Sequence, residues 1–303
     1  MRVLVTGGSG YLGSAAVPAL VARGHEVVTI GRHRGLDALV CDLTDPQAVH
    51  RAVRAAGEID VVVHLAARAH NFRGLSLDEL LAANTATTRH LAETLRSLGR
   101  TESTRFVHAS SVAVYEVLDP VQKLTAAQAP YAASKLQSEH VLIAEPFQSL
   151  CVLRFAPIYD PTNLEDVAKR VFLPGTRLKL RLSPPPFHSL CARDRAVQAI
   201  VDAVESDATT GRQLTNVHDP LPLSQHELAS WFPGYALTMP TSLFLSAAKA
   251  AATCGTAGGK AASLIRKFAE SSRYPEPSWD ATLAWRNPMP SNPSFAVVST
   301  KKG

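Results

Sequence analysis

A tyrosine and a lysine stand four residues apart in the stretch PYAASKLQSEHVL, as Tyr131 and Lys135. On a helix this spacing puts both side chains on one face. An ammonium beside a phenol favours the phenolate, so we expect Lys135 to lower the pKa of Tyr131 from about 10 toward neutrality. Such a tyrosine can pass a proton to or from an oxygen of a bound molecule. Alone, the spacing is more typical of a surface helix with a half-buried tyrosine and a solvated lysine, and it gains weight here from the nucleotide turn at the start of the chain and the serines that precede it.

Two serines precede this pair, Ser110 and Ser111, at the end of the strand predicted over RFVHAS. A hydroxyl at a strand end can orient the same oxygen that the tyrosine protonates. We therefore predict Ser111, Tyr131 and Lys135 to form one catalytic group.

The glycines that could hold a ligand beside this group lie at the start of the chain, in MRVLVTGGSGYLGS. Gly7, Gly10 and Gly13 follow a short apolar strand and open a helix. Glycines there let the backbone approach a pyrophosphate, and the helix N-terminus attracts its charge. The pattern predicts a dinucleotide site, which includes Tyr11 and Leu12. The alternative is an ordinary strand-to-helix turn with no ligand.

The residue after the second strand bears on which dinucleotide binds. The strand EVVTI ends at Ile30 and Arg32 follows. An acidic residue there would bind the ribose hydroxyls of NAD, whereas arginine suits the 2′-phosphate of NADP. We predict NADP, with NAD as the alternative. The other interpretation of Arg32 is a solvated loop residue that binds no cofactor. Asp42, in CDLTD, can accept from the adenine amino group or cap the helix near Pro46.

The segment HLAARAH follows the fourth predicted strand. The small Ala66 and Ala67 let the backbone approach the cofactor, and Arg68 and His70 are expected to face the cleft. We predict no metal site, because His70 has no second ligand at a helical or strand spacing.

The composition limits the function classes. The chain has 303 residues and a net charge of +5, with its basic residues spread along the sequence. That suits an anionic small molecule rather than nucleic acid. Four cysteines stand far apart without a C-x-x-C pair, which favours reduced thiols over zinc or disulfides. Since no signal peptide is recognised and Ser242 to Ile265 is too weakly apolar to span a membrane, we expect a cytoplasmic protein.

Apolar strands alternate with helical stretches along the first half of the chain. They end near Val5, Ile30, Cys41, Ala66, Ser110 and Phe155. This alternation predicts an α/β fold with a Rossmann-like doubly wound parallel sheet. One long helix is predicted from a Ser76 cap to a Gly99 stop.

In this order, TGGSGYLG, CDLTD, HLAAR, SSVAVY, Y-x-x-x-K and LRFAPIYDP resemble the extended short-chain dehydrogenases/reductases, and more narrowly the NAD-dependent epimerase/dehydratase family. The resemblance covers roughly residues 1 to 220. It implies a dinucleotide-binding Rossmann domain over residues 1–160. It also implies a small C-terminal α/β substrate lobe over most of 161–303, with some segments returning to the first domain. A homodimer is implied as well.

The resemblance also assigns roles. Tyr131 becomes the acid/base, Lys135 its partner and a ribose contact, and Ser111 a ligand of the substrate oxygen. The cofactor contacts implied are Gly7, Gly10, Gly13, Asp42, Leu43, Leu65, Ala66, Ala67, Asn84, Pro157 and Ile158.

The sequence departs from the family pattern on the substrate side. LCARDRAV keeps only Asp194 of the usual acidic pair, and Glu116 stands where a glycine is common. In RLKLR, the basic residues Arg177, Lys179 and Arg181 alternate with leucines. In a strand they would share one face and could clasp a diphosphate, or simply face solvent. Arg68, Arg177 and Arg193 are candidate substrate ligands, together with Ser111.

We therefore expect an NADP-dependent oxidoreductase that reduces a 4-keto nucleotide-linked sugar. A nucleotide-sugar 4-epimerase with retained NAD is the alternative. Dehydration ranks third, because Glu116 is out of register with the acidic residue that dehydratases add, and a non-sugar ketone is a further possible substrate. From another class, the rival is an NADP-binding regulatory or assembly protein without turnover.

Overall fold

The computed structural model describes residues 1–33, 38–68, 75–118, 124–206, 211–272, 274 and 277, without the side chains of 255–257, 259, 260 and 263. In chain order its strands are β1 (Arg2–Thr6), β2 (Glu26–Gly31), β3 (Leu39–Val40), β4 (Val61–His64), β5 (Arg105–Ser111), β6 (Ser149–Phe155), β7 (Ile158–Tyr159), β8 (Leu180–Ser183), β9 (Phe187–His188), β10 (Cys191–Ala192), β11 (Gly211–Val217), β12 (Leu223–Ser224) and β13 (Leu237–Pro240). Its α-helices are α1 (Gly13–Ala22), α2 (Pro46–Ala55), α3 (Leu77–Leu80), α4 (Thr87–Ser97), α5 (Tyr115–Leu118), α6 (Pro130–Ala144), α7 (Glu165–Ala168), α8 (Arg193–Glu205), α9 (Gln225–Ser230), α10 (Thr241–Ala252) and α11 (Gly255–Ala269).

Seven of these strands form the central sheet, in the order β3-β2-β1-β4-β5-β6-β11. Every neighbouring pair in it is parallel. The strand order reverses between β1 and β4, and in doubly wound sheets ligands bind at the carboxyl ends of the strands that flank such a point. The predicted Rossmann-like α/β class is confirmed.

Helices cover both faces of the sheet because successive strand residues point to opposite sides. Val3 and Val5 are buried on the face covered by α1 and α8. Leu4 is buried on the other face, under α2, α4 and α6. Both α8 and β11 belong to the second half of the chain, which therefore contributes to the main sheet.

The helix predicted from Ser76 to Gly99 begins and ends as expected, but its middle is not α-helical. Ser76 caps α3 in a capping box with Glu79, and Gly99 ends the run with φ +68°. Between α3 and α4 lies a π-helical segment, Leu81–Ala86. The Asn84 carbonyl accepts from the hydroxyl of Thr88 at 2.7 Å and from the backbone N–H of Thr87.

The small lobe consists of three two-stranded pairs with α7, α9, α10 and α11. The pairs are β7 with β10, β8 with β13 and β9 with β12. Helices α10 and α11 occupy the alanine- and glycine-rich stretch from Ser242 to Ile265. Within the described residues, no helix is both long and apolar enough to cross a membrane.

All four cysteines are free thiols. Cys41, Cys151 and Cys191 are buried, and Cys254 is exposed. Burial raises the pKa of Cys41 and of Cys151 to about 11, so these thiols are protonated and unreactive at neutral pH.

Candidate active site

The glycine turn after β1 passes directly over the end of β4. Gly7 has φ +73°, a conformation that favours glycine, and a Cβ atom there would stand 2.6 Å from the backbone nitrogen of Ala66. A Cβ on Gly13 would overlap the Gly7 carbonyl oxygen, to which the Gly10 N–H donates at 3.0 Å. Both glycines are therefore required by close backbone contacts. The turn thus presents bare backbone of the kind that lies against a pyrophosphate.

Helix α1 begins at this turn, with Leu12 at its cap position, and no described side chain caps it. Although the Ser14 N–H already donates to the Gly10 carbonyl at 2.8 Å, the helix dipole still favours an anion at this N-terminus. Leu12 and Leu65 pack against the apolar core below the turn, and Ala67 is exposed at the rim. These residues fit a dinucleotide, and their individual contacts with it stay predictions.

Arg193, the first residue of α8, is bonded to the glycine turn. Its Nη2 donates to the Tyr11 carbonyl at 2.5 Å and to the Ser14 hydroxyl at 2.8 Å. Its Nη1 donates to Asp160 at 3.2 Å, and the Tyr11 hydroxyl donates to the same carboxylate at 2.8 Å. The guanidinium also lies 4.5 Å from the centre of the Tyr11 ring. The role of Arg193 as a substrate ligand stays a prediction. In the structure its hydrogen bonds connect it to the glycine turn, where the dinucleotide is predicted to bind.

Arg32 and Asp42 lie together at the ends of neighbouring strands. The N–H and hydroxyl of Thr44 hold the Asp42 carboxylate at 2.9 and 2.8 Å, and these bonds, with a smaller contribution from the nearby Arg32, lower its pKa. The alternative that Asp42 caps the next helix is wrong, because Asp45 caps α2 by accepting from Gln47 N–H. Leu43 is buried beside Asp42, and the adenine contacts of both stay predictions.

Asn84, on the π-helical segment, joins two parts of the site. Its Oδ1 accepts from the Arg68 N–H at 2.7 Å, and its Nδ2 donates to the Arg68 carbonyl at 3.1 Å and to the Ser134 hydroxyl at 3.0 Å. The side chain is 1% exposed. Asn84 therefore positions the segment after β4 against α6, and its predicted contact with the cofactor stays untested. Arg68 is exposed at the rim, whereas His70 lies outside the described residues.

The hydroxyl groups of Ser111 and Tyr131 are hydrogen-bonded to each other. Ser111 ends β5, and its Oγ also accepts from the Ala113 N–H at 3.1 Å, which fixes its rotamer. Tyr131 is half-buried in the first turn of α6. The structure thus brings together, at the carboxyl edge of the sheet, two side chains that lie twenty residues apart in the sequence.

The expected lowering of the Tyr131 pKa is wrong for this structure. Burial raises the pKa of Tyr131 to about 12, and the bond from Ser111 offsets only part of that shift. Lys135 is not among the groups that shift the pKa of Tyr131, and its ammonium donates to the Ala109 carbonyl at 2.5 Å. Lys135 is 2% exposed, and burial lowers its own pKa to about 8, with Glu139 opposing the shift.

A buried ion pair that the sequence pattern did not predict lies under the serines. Arg154 donates to both carboxylate oxygens of Glu139, at 3.0 and 2.6 Å, and the Ser110 hydroxyl donates to Glu139 at 2.5 Å. Two signals were present in the sequence. Glu139 follows Lys135 by four residues, and Arg154 is a lone charge in the apolar strand SLCVLRF.

The prediction that Arg177, Lys179 and Arg181 share one basic face is wrong for Lys179. Its Nζ donates to the carbonyl oxygens of Phe232 and Gly234, at 2.6 and 3.0 Å, and the side chain is 7% exposed. The reason is that β8 begins only at Leu180, so the strand alternation does not extend back to Lys179. Arg177 and Arg181 are exposed. A substrate contact of Arg177 stays a prediction.

The segment after β6 lies beside Ser111, since β5 and β6 are paired up to Ser111 and Phe155. Pro157 and Ile158 are half-buried there, and the Pro157 carbonyl accepts from the Cys191 N–H at 3.0 Å. Their predicted place beside the nicotinamide fits this position.

Glu116 forms an ion pair with Lys267 of α11, at 2.9 Å. A carboxylate held in this way is poorly placed to act as the acid of a dehydration. In the part of the chain that the structure describes, no three histidine, cysteine or acidic side chains come together as a metal site would need.

Comparisons with known proteins agree with this geometry. The model of the "NAD dependent epimerase/dehydratase family" matches residues 3–182. The 2-alkyl-3-oxoalkanoate reductase of Stenotrophomonas maltophilia is 35% identical over 187 residues, or 56% of this chain and 54% of the relative. The chain thus spans about half the length of that relative. The 3-diazoavenalumate denitrifying reductase of a Streptomyces species is 31% identical over 255 residues, or 79% of this chain and 82% of the relative.

Among solved structures, the UDP-Glc/GlcNAc 4-epimerase from Campylobacter jejuni is similar, with a TM-score of 0.63 and 21% identity over 79% of this chain and 86% of that one. This likeness shows the fold. The matched family segment includes the glycine turn, Ser111, Tyr131 and Lys135, and the resemblance found in the sequence is confirmed. The chain is accordingly an enzyme of the NAD-dependent epimerase/dehydratase family, within the extended short-chain dehydrogenases/reductases.

Proposed function

We propose that this enzyme is an NADP(H)-dependent carbonyl reductase whose substrate is a 4-keto sugar linked to a nucleotide. The observation that carries the proposal is the hydrogen bond between Ser111 and Tyr131 at the carboxyl edge of the sheet, beside the glycine turn. A carbonyl oxygen bound there would contact two hydroxyl groups, that of Ser111 at the end of β5 and that of Tyr131 on α6. When bound, the nicotinamide supplies a hydride to the carbonyl carbon.

Tyr131 supplies the proton in this scheme. With a pKa of about 12, its phenol is protonated at neutral pH and can donate to the oxygen as the carbonyl is reduced. Ser111 holds that oxygen, and its own bond to Ala113 N–H keeps it in place. Oxidation would require the phenolate, which burial disfavours. The protonated phenol is the form needed for the reductive step, and the alternative, a nucleotide-sugar 4-epimerase with retained NAD, would use the same step after an oxidation.

Arg32 supports NADP over NAD. It is exposed at the end of β2, close to Asp42, on the edge where the ribose of the adenosine half would lie. A guanidinium there can donate two parallel hydrogen bonds to a 2′-phosphate.

A second substrate class has its own support. Two relatives carry names that describe reductases of carboxylate-bearing compounds, an oxoalkanoate and a diazoavenalumate. A non-sugar ketone with a carboxylate is therefore the second candidate for this chain. A binding protein without turnover is disfavoured, because Ser111 and Tyr131 are kept in bonded positions.

The test is turnover of defined ketones by the purified protein. It is incubated with NADPH or NADH and either a 4-keto nucleotide sugar or a 3-oxoalkanoate, and loss of nicotinamide absorbance is followed. Oxidation of NADPH with the keto sugar supports the proposal, and oxidation with the 3-oxoalkanoate alone establishes the second candidate. Tyr131→Phe should lower turnover by about 10²–10⁴-fold while leaving NADPH affinity unchanged. Binding of NADPH without turnover of either ketone contradicts the reductase proposal.

A further inference from the structure

His64 is a buried side chain that the reaction scheme does not use. It is the last residue of β4, is 1% exposed, and pairs across the sheet with Thr6, the last residue of β1. These are the two strands between which the strand order reverses. The ring reaches both neighbouring layers, since its Nδ1 lies 2.7 Å from the Thr6 hydroxyl and its Nε2 lies 3.0 Å from the Thr88 hydroxyl of α4.

The hydrogen bonds around this ring fix its tautomer. The Thr88 hydroxyl must donate to the Asn84 carbonyl, 2.7 Å away, because a carbonyl oxygen can only accept. The Thr88 oxygen therefore accepts from His64 Nε2–H. On the other side, the Ala66 N–H donates to the Thr6 hydroxyl at 3.3 Å, which leaves the Thr6 proton for His64 Nδ1.

The neutral ring with its proton on Nε2 satisfies all of these contacts together. The other tautomer would leave the oxygens of Thr88 and Asn84 facing each other at 2.7 Å without a hydrogen between them. Burial, and then the charge of Lys135, lowers the pKa of His64 to about 3, so the ring is neutral at physiological pH. A single direction of donation thus runs from Ala66 through Thr6, His64 and Thr88 to Asn84.

One end of this chain of hydrogen bonds lies beneath the glycine turn. A Cβ atom on Gly7 would stand 2.6 Å from the backbone nitrogen of Ala66, the atom that donates to the Thr6 hydroxyl. The preceding N–H, that of Leu65, donates to the Thr6 carbonyl at 3.1 Å. The Thr6 side chain therefore sets how closely the segment after β4 approaches the turn that is predicted to hold the pyrophosphate.

The other end reaches the first turn of α6. Asn84 Nδ2 donates to the Ser134 hydroxyl at 3.0 Å, and this hydroxyl donates to the Tyr131 carbonyl at 2.8 Å. The Thr85 hydroxyl donates to the Ser134 carbonyl at 3.0 Å. The π-helical segment thus holds the turn that carries Tyr131, and His64 stands between that segment and the glycine turn.

We propose that His64 is a positioning residue for the dinucleotide, which holds the backbone at Ala66 and the π-helical segment at Asn84 in fixed relation to each other. It acts through Thr6 and Thr88 and does not itself contact the cofactor. Because the network is buried, removal of one member leaves its neighbours with unsatisfied polar groups, and they must shift to find new partners. The proposal requires that a nicotinamide dinucleotide binds, and it holds whichever ketone is reduced.

The first test is the protonation of the ring in the unliganded full chain. Long-range proton–nitrogen correlations of nitrogen-15-labelled protein distinguish Nδ1 from Nε2, and the His64 signals are those that disappear in His64→Leu. We expect a neutral ring protonated on Nε2 at pH 7. A ring protonated on Nδ1, or on both nitrogens, overturns the proposal.

The second test is the affinity for NADPH and NADH, measured by nicotinamide fluorescence. Thr88→Val removes only the hydroxyl that accepts from His64, so it should bind the preferred dinucleotide about 3–10-fold more weakly. Thr88→Ser keeps the hydroxyl and should stay within about twofold of the wild type. Thr104→Val is the matched control, because it removes a buried hydroxyl that donates to the Ile59 carbonyl at 2.9 Å, at the opposite end of β5 from Ser111.

The Tm values of the variants separate positioning from general destabilisation. Thr104→Val should lower the Tm as Thr88→Val does, yet leave dinucleotide affinity unchanged. Unchanged affinity in Thr88→Val, or an equal loss in Thr104→Val, overturns the proposal. If the expected pattern of affinities is found but no ketone is reduced, the proposed function is contradicted and the role of His64 is supported.

Discussion

Glu139 and Arg154 form an ion pair in which both side chains are fully buried, with 2.6 Å between Oε2 and Nη2. Glu139 shares one face of α6 with Tyr131 and Lys135, and it accepts from Ser110, the neighbour of Ser111. The pair therefore fixes α6 against β5 and β6 below the hydroxyl groups of Ser111 and Tyr131.

Breaking this pair should strongly destabilise the protein. Glu139→Gln leaves Arg154 as an uncompensated buried charge, and we expect a loss of about 3–5 kcal/mol in the free energy of unfolding. Urea denaturation measures it. The double variant Glu139→Leu/Arg154→Met should lose less free energy of unfolding than Glu139→Gln. A single-variant loss below about 1 kcal/mol would contradict the account.

Acid should destabilise the fold through buried histidines. His108 is fully buried, stacks on His64 with 5.5 Å between ring centroids, and has no described hydrogen-bond partner on either ring nitrogen. Burial lowers the pKa of His64 to about 3, and that of His108 well below its usual value. Between about pH 6.5 and pH 3 the unfolded chain binds more protons, so stability falls as the pH falls.

His108→Leu should reduce this acid sensitivity, measured as the change in Tm between pH 7 and pH 5. His50→Leu, on α2, is the control, because His50 is only partly buried. An unchanged pH dependence in His108→Leu would show that His108 is not responsible.

Arg193 should matter to cofactor affinity. Arg193→Ala removes the bonds to the Tyr11 carbonyl and the Ser14 hydroxyl that hold the start of α1, so we expect NADPH to bind roughly tenfold more weakly. Nicotinamide fluorescence measures this. Arg193→Lys should recover only part of the NADPH affinity, since a single ammonium group cannot reproduce the hydrogen-bonding geometry of a planar guanidinium. Unchanged NADPH affinity with a raised KM for the ketone would instead favour the substrate role predicted from the sequence.

Arg32 should decide between the two dinucleotides. Arg32→Ala removes a charge-assisted contact to a 2′-phosphate, so NADPH should bind about 10–100-fold more weakly while NADH is unaffected. The same titration with Arg51→Ala, an exposed arginine of α2, should show no change. Equal affinity of the wild type for both dinucleotides would refute the NADP assignment.

Gly13 and Gly10 should differ in their tolerance of a methyl group. In Gly13→Ala the new Cβ overlaps the Gly7 carbonyl oxygen, whereas in Gly10→Ala it stands 3.2 Å from that oxygen. We expect a clear fall in Tm for Gly13→Ala and a small one for Gly10→Ala. Similar Tm values would mean that the turn relaxes around either methyl group.

The sequence predicted the parts that depend on local pattern. The strands, the glycine turn, both ends of the long helix and the candidate group of Ser111 and Tyr131 all follow from residue type and short spacing. The sheet order then brings the strand ends together, because parallel strands place their carboxyl ends on one edge.

What the sequence could not predict depends on partners far along the chain. Lys135 donates a hydrogen bond to the Ala109 carbonyl, and Arg193 bonds to Ser14 and Tyr11, which lie 179 and 182 positions away in the sequence. Lys179 is buried against the carbonyl oxygens that precede β13. Burial reverses the expected direction of the Tyr131 pKa, and no spacing rule reports burial. The homodimer, the cytoplasmic location and the division at residue 160 stay predictions.

The position of β11 has a consequence for synthesis on the ribosome. This outer strand pairs with β6, yet residues 156–210 separate the two along the chain. At about 5–20 residues per second, the growing chain carries β6 as an open sheet edge for several seconds before its neighbour is made. An unpaired apolar edge is a template for pairing with other chains. We therefore expect the nascent protein to depend on chaperones during that interval more than the finished enzyme does, with newly made chains aggregating when chaperone supply is limited.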